Sequence, residues 1–367
     1  MNLNLIGPFN SLGYGRCVAN LLKALHNLGN DVAFFPIGQP QPENQLEVEL
    51  LQRTIKKQEF YDWNAPSLRI WHQFDLSQHV GKGKRIGFPI FELNKFTDRE
   101  IHHLNSQDML FTCSEWGKQI IKDNNINVTT KVIPLGIDPT IFYPFKLDRK
   151  IPEISSEIGI NENTTIFINI GKWTINKGHD VLIDAFNSAF EESDNILFIM
   201  LCQNPFLNER QEKEWIDLYK NSKLGKKIML HARVRTQSEL ADIMGLSDCG
   251  VFLSRGEGWN LEALELLSMG KHLIVTNYSG QTEFCNTNNS NLVDIDELEE
   301  AYDGIWFHGQ GEWAKIGERQ IEQAVEYMRK IHKLKQSGQL NINQKGIEMR
   351  HIFTWENSVS RLVSYLS

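Results

Sequence analysis

Twice along this chain, short apolar runs alternate with turn residues and then with apolar residues at helical spacing. The first series opens with residues 3–6, passes a glycine-rich turn, and continues with Val18, Leu21, Leu22, Leu25 and Leu28 before Gly29. The runs at 32–35, 68–72, 85–88, 109–113 and 131–134 carry it on, with predicted helices over 98–105 and 114–124. Around Phe145–Glu157 the periodicity stops in a segment of prolines and charges, YPFKLDRKIPEISSEIG. The alternation then starts afresh at 165–170 and runs to 272–276, after which the pattern reads as mostly helical. Strands that alternate with helices form βαβ units, and βαβ units form parallel sheets. The expected fold is α/β: two Rossmann-like, doubly wound parallel-sheet domains facing a central cleft. The expected boundaries are 1–148 and 149–351, with a last helix over about 352–367 crossing back to the first domain. Ligands of such sheets sit beyond the carboxyl ends of the strands, so residues just after strands carry the functional reading.

Composition narrows the partners. The chain has 367 residues, 38 basic and 46 acidic, for a net charge of −8. That balance argues against a protein that coats nucleic acid or an anionic membrane. Residues 1–148 hold 15 basic and 15 acidic residues, so the whole excess of acid lies beyond them. Gly81-Lys-Gly-Lys-Arg85 is a small basic patch in the neutral part, which leaves an anionic acceptor open, although a solvated hairpin or loop is its plainer reading. The scattered Cys17, Cys113, Cys202, Cys249 and Cys285 include no CxxC pair, and they read as reduced thiols of a cytoplasmic protein. The opening MNLNLIGPFN lacks the basic and long apolar regions of a signal peptide. No apolar run approaches the length of a membrane helix, which leaves at most peripheral membrane contact.

Three clusters follow predicted strands. Gly13-Tyr14-Gly15-Arg16 offers glycines that let backbone approach an anion next to a helix start. It lacks the G-x-G-x-x-G spacing, so a nicotinamide-dependent oxidoreductase is a weak reading. Lys172 and Lys177, in GKWTINKG, bracket a tight strand-to-helix loop and together suit a diphosphate. Two solvated lysines are the plainer reading of that segment alone. Glu257, in SRGEGWNLEALE, sits in a loop, while Glu265 lies about one turn into the next helix. The amides of Trp259, Asn260 and Leu261 between them are at a helix N-terminus. A carboxylate there suits a vicinal diol such as that of ribose.

The segment SRGEGWNLEALELLSMGKHLIVT resembles the E-x7-E signature of retaining glycosyltransferases of family 4, which have the GT-B fold. Four further segments resemble that family in order: Thr112-Cys-Ser114-Glu-Trp116, Val132-Ile-Pro134-Leu-Gly136-Ile-Asp138 with Phe142, Gly171-Lys172 with Lys177-Gly178, and Phe353-Thr-Trp355-Glu356. The resemblance implies a metal-independent hexosyltransferase, without cofactor, that uses a nucleotide-sugar donor such as a UDP- or GDP-sugar. It implies that Glu265 holds the donor ribose and that Lys172 and Lys177 hold its diphosphate. Glu257, with the amides of Asn260 and Leu261, would hold the transferred sugar. Gly13, Tyr14 and Gly15 would approach the donor from the N-terminal side, and Arg233 and Val234 would face the nucleobase.

Two departures matter. Lys172 replaces the usual arginine, keeping charge but losing the bidentate fork. The strand end that carries a histidine in many members reads Gly87-Phe-Pro-Ile-Phe-Glu92 here. Glu92 is therefore a candidate catalytic group beside Glu257 and Lys177, and His72 is the other candidate near the anomeric carbon. Asp294-x-Asp296 reads as a solvated acidic loop rather than a metal site. A GT-B protein that binds a nucleotide sugar without turnover is the main alternative, and the acceptor is unspecified.

Overall fold

The central apolar runs form strands because nearly every side chain on them is buried on both faces, as parallel sheets covered by helices require. The computed structural model describes residues 1–145 and 160–366. The expected boundary at 148/149 lies outside the described residues. Six parallel strands make the first sheet, in the order β2 (Asp31–Pro36), β1 (Asn2–Gly7), β3 (Ser67–Arg69), β4 (Arg85–Gly87), β5 (Met109–Thr112), β6 (Thr130–Val132). The second has β12 (Asn291–Val293), β11 (His272–Thr276), β10 (Cys249–Phe252), β7 (Thr165–Gly171), β8 (Ile196–Cys202) and β9 (Ile228–His231), again all parallel. Its strand order reverses between β7 and β10, which is where such a sheet opens a crevice.

Helix α1 (Gly13–Asn27) presents Val18, Leu21, Leu22 and Leu25 to the first sheet. It begins at Gly13, one turn earlier than its apolar spacing suggests, so the glycine cluster lies inside the first turn of the helix rather than ahead of it. Helix α11 (Trp355–Leu366) packs against α1. Gly136 makes that return possible, because a Cβ there would collide with the backbone of Thr354 and Trp355. Ile137 then pairs with Thr354, and Ser358 Oγ donates to the Pro134 carbonyl at 2.6 Å.

The region beyond 276 differs from the helical expectation. It holds β12 and an antiparallel hairpin, β13 (Leu298–Tyr302) with β14 (His308–Ala314), before the helices α9 (Glu318–Gln336) and α10 (Gln344–Ile352). Its strands are short, and the adjacent Glu299 and Glu300 of β13 break the alternation. The acidic stretch is also not simply solvated. Asp296 pairs with Arg319, Glu297 with Lys315 at 2.8 Å, and Glu299 with Arg255 at 3.3 Å.

Candidate functional site

The loops after β7 and β10 meet above the strand ends. Behind the first, Gly178 adopts φ +70°, and a Cβ there would strike the Leu253 carbonyl, so only glycine lets the two loops close up. Helix α5 (His179–Ala189) follows directly. Its buried His179 bonds Asn169 Oδ1 at 2.9 Å and receives the Thr174 amide at 3.3 Å. Burial, with Lys177 adding to it, lowers His179 to about 3, so the ring is neutral and anchors the loop from beneath.

The lysine loop then delivers Lys177 onto Glu257. The Lys177 ammonium donates to both carboxylate oxygens of Glu257, at 2.7 and 2.6 Å. Burial pulls this lysine toward neutrality, but Glu257, Glu92 and Glu262 outweigh it and hold it charged. Glu257 is only 3% exposed; it also accepts from Ser254 Oγ at 2.7 Å, and its amide donates to Ser279 Oγ at 2.8 Å. Arg255 fixes the backbone on both sides: it donates to the Ile175 carbonyl at 2.7 Å and grips Asp180 with two bonds of 2.8 Å. Sequence reasoning missed Ser254, Ser279 and Arg255, because nothing in a linear pattern tells which loop side chains fold inward.

Lys172 stays open to solvent, with its ammonium 5.6 Å from the centre of the Phe206 ring. The surrounding walls and nearby Lys177 hold it below the ordinary lysine range, with Glu92 and Glu257 opposing.

Glu265 is on α8 (Leu261–Ser268), 4% exposed, and its Oε2 makes no hydrogen bond. Burial raises this carboxyl well above the usual range, and Arg16 opposes the shift. A buried carboxylate oxygen without a donor is costly unless a ligand supplies one. The start of α8 adds unpaired helix amides. Asn260 caps that helix from φ +77°, its Oδ1 accepting from the Ala263 amide at 3.1 Å, so its side chain serves the turn and only its backbone faces a ligand. Leu261 is half-buried against the core. The Trp259 ring is 2% exposed and packed on Phe284 and Phe353, so its side chain belongs to the core and the amide is what it has to offer a ligand.

The N-terminal half supplies the opposite wall. Glu92, on the loop after β4, accepts from Asn176 Nδ2 at 2.9 Å, which joins the halves beside Lys177. Tyr14 is likewise not a free ligand group: its hydroxyl donates to the Ile90 carbonyl at 2.7 Å and accepts the Ile90 amide at 3.0 Å. It thereby sets the loop that carries Glu92. A Cβ on Gly15 would collide with Asn10, so this glycine serves the turn; around Gly13 the space is open. His72 stacks on Phe74, 5.1 Å between ring centres, and lies 4.7 Å from the Tyr14 ring. Burial, then the charge of Lys172, lowers it to about 4, so it faces the cleft as a neutral ring. Arg233 and Val234 follow β9, both half-buried, with Val234 packed on the core. Arg16, eight per cent exposed, lies on α1 one turn before Asn20, whose Nδ2 donates to Gln237 Oε1 at 3.4 Å just beyond Arg233 and Val234. Its clue in the sequence is a polar pair, Arg16 and Asn20, one turn apart on a buried helix face.

Among the described residues no cluster of three His, Cys, Asp or Glu could hold a metal ion, no helix is long and apolar enough to cross a membrane, and all five cysteines are buried and unpaired.

Two parallel-sheet halves with this cleft define the GT-B class of α/β fold. Residues 150–306 match the family described as "Glycosyl transferases group 1". It is 23% identical over 172 residues to the alpha-monoglucosyldiacylglycerol synthase of Streptococcus pneumoniae, a match spanning 47% of this chain and 38% of that relative. Among solved structures, sucrose-phosphate synthase of Thermosynechococcus elongatus aligns with 100% of this chain and 98% of its own, at TM-score 0.70 and 14% identity. The Anabaena protein HepE, solved with UDP-glucose, aligns at TM-score 0.69 and 14% identity over 100% and 99% of the two chains.

Proposed function

We propose that the chain moves a hexose-type sugar from a nucleotide-diphosphate sugar, of the UDP or GDP kind, to a glycan or lipid-linked acceptor, with retention of anomeric configuration. The observation that carries this reading is the buried carboxylate of Glu265, its Oε2 without a partner, on the helix that follows the loop of the Lys177–Glu257 pair. A ribose diol supplies the two hydroxyl donors that Glu265 lacks. Lys172 and Lys177 stand where the leaving diphosphate accumulates negative charge, and α8 directs its positive end there. In this role they make a metal unnecessary. Lys177 has a third N–H left for a phosphate oxygen after Glu257 takes two.

Glu257 and the amides at the start of α8 hold the transferred sugar. Glu92, fixed by Asn176 and by the Tyr14-braced loop, faces the anomeric centre from the other half. Excluding water between the halves favours transfer over hydrolysis. The UDP-glucose complex of HepE and the lipid named for the pneumococcal relative make UDP-sugars and diacylglycerol-type acceptors the first choices to assay. Buried, unpaired cysteines suit a cytoplasmic protein, with membrane contact peripheral.

A panel of nucleotide sugars scored by thermal stabilisation, then titrated calorimetrically against Glu265→Ala, tests the site. Stabilisation by one donor class and loss of its affinity in the variant are expected. No stabilisation by any donor, or unchanged affinity, overturns the reading. Sugar transfer in a panel of acceptors separates it from binding without turnover.

A further inference from the structure

We propose that Arg16 and Arg233, one from each half of the molecule, close on the donor phosphate next to the ribose, beside Glu265. The inference rests on the donor reading above and adds two residues to it. Arg16 lies in the first turns of α1, where its Nε donates to the Ser11 carbonyl at 3.2 Å. Its Nη1 is buried and has no partner. A guanidinium has only donors, so this bare end calls for an oxygen. Glu265 is not that oxygen. The two groups feel each other electrostatically, yet no ion pair joins them and Glu265 Oε2 is itself bare. Two complementary buried groups, each unsatisfied, bracket the space for something that carries both acceptors and donors. A nucleoside phosphate does so, with phosphate oxygens for Arg16 and ribose hydroxyls for Glu265.

Arg233 sharpens the assignment. It comes just after β9 in the other half, four residues before Gln237, whose Oε1 accepts from Asn20 Nδ2 at 3.4 Å one turn along α1 from Arg16, and the two positive charges repel. It makes no side-chain hydrogen bond or ion pair among the described residues. Two neighbouring guanidiniums disfavour each other until an anion joins them, and both have the fork that fits a phosphate. The carboxylates of Glu262 and Glu43 also act on Arg233, and Glu262, Glu43 and Arg16 act on Glu265. An anion that also brings hydroxyl donors satisfies both bare groups, Arg16 Nη1 and Glu265 Oε2, so the clamp selects a nucleoside phosphate over free phosphate.

The test is calorimetric titration of the full chain with UDP and GDP, and with uridine and guanosine at millimolar concentration. Arg16→Ala and Arg233→Ala should each weaken the preferred diphosphate by about ten-fold or more, the range of a charge-assisted hydrogen bond. Both should leave nucleoside affinity within about two-fold, by the same logic. Glu265→Gln should weaken nucleoside and diphosphate together. Arg16→Lys, which keeps charge without the fork, should fall between, and it carries the test if Arg16→Ala does not fold. Unchanged diphosphate affinity in the arginine variants overturns the proposal. So does an equal loss of nucleoside affinity, since the guanidiniums would then be reading base or ribose. If the wild-type chain binds no nucleoside diphosphate, the donor reading itself falls.

Discussion

Replacing Lys177 by alanine while keeping Glu257 isolates a carboxylate that is 4% exposed at its side chain. Removing one partner of a buried ion pair costs about 3–5 kcal/mol because the other charge is left stranded. Lys177 is 19% exposed, so water already screens part of the pair, and about 2–4 kcal/mol is the reasonable range. For a unit of the size of the second half that lowers the melting temperature by about 5–12 °C. The loss should depend on pH, and its sign follows from the carboxyl. Without Lys177, burial and Glu92 raise Glu257 above its unfolded value of about 4.3. A raised folded pKa means the protonated form is favoured in the native state. The penalty is therefore small at or below that unfolded value and grows as pH rises toward the folded one. Differential scanning fluorimetry should show Lys177→Ala closer to wild type at pH 5 than at pH 8. The double variant Lys177→Ala/Glu257→Gln should recover most of the loss at pH 8, because a neutral amide has no charge to strand. Equal losses at both pH values, or a double variant no better than the single, would refute the reasoning.

Glu265→Gln should hold or raise the melting temperature of the free protein while weakening donor binding, since it removes a buried carboxylate that has an unpartnered oxygen. Its raised folded pKa means that wild-type stability declines as pH rises through the folded value, and the variant should flatten that decline in melts from pH 5 to 8. Arg255→Ala breaks the grip on Asp180 and Ile175, and should cost about 2–3 kcal/mol given partial exposure of its partners. Hydrogen exchange should then speed up in both the 175–178 turn and the 298–314 hairpin. Tyr14→Phe removes the hydroxyl that braces Ile90 on both sides, and should cost about 1–2 kcal/mol of stability. A larger fall in kcat than in donor affinity would show that it acts through the loop of Glu92.

Both sheets were legible from the sequence because buried parallel strands read as unbroken apolar runs. Ile196–Cys202 is apolar throughout and buried throughout. The loops at the switch point were legible for another reason: Gly178, Asn260 and the E-x7-E spacing meet backbone demands that few residues satisfy. What escaped was direction. Trp259, Tyr14 and Gly15 stand in motifs beside the cleft, yet each turns to packing or to bracing a loop. Arg16 stands in the same motif and turns inward. Periodicity fixes which face of a helix is covered, not whether a long polar chain on that face meets a partner. The 298–314 hairpin escaped because the adjacent Glu299, turned toward Arg255, and Glu300, turned outward, break the apolar–polar alternation of a strand.

The return of α11 onto α1 means that the end of the chain leaves the second sheet and is seated against the first half from near Phe353 onward. A single tether leaves two bodies free to swing and twist about it. A return seated against Pro134–Ile137 removes much of that freedom. The halves are thereby held in the register that sets Glu92 against Asn176. Cutting the chain ahead of residue 353 would leave each half with its own sheet but would abolish that registration, and a mixture of the two pieces should bind donor less well than the intact chain does.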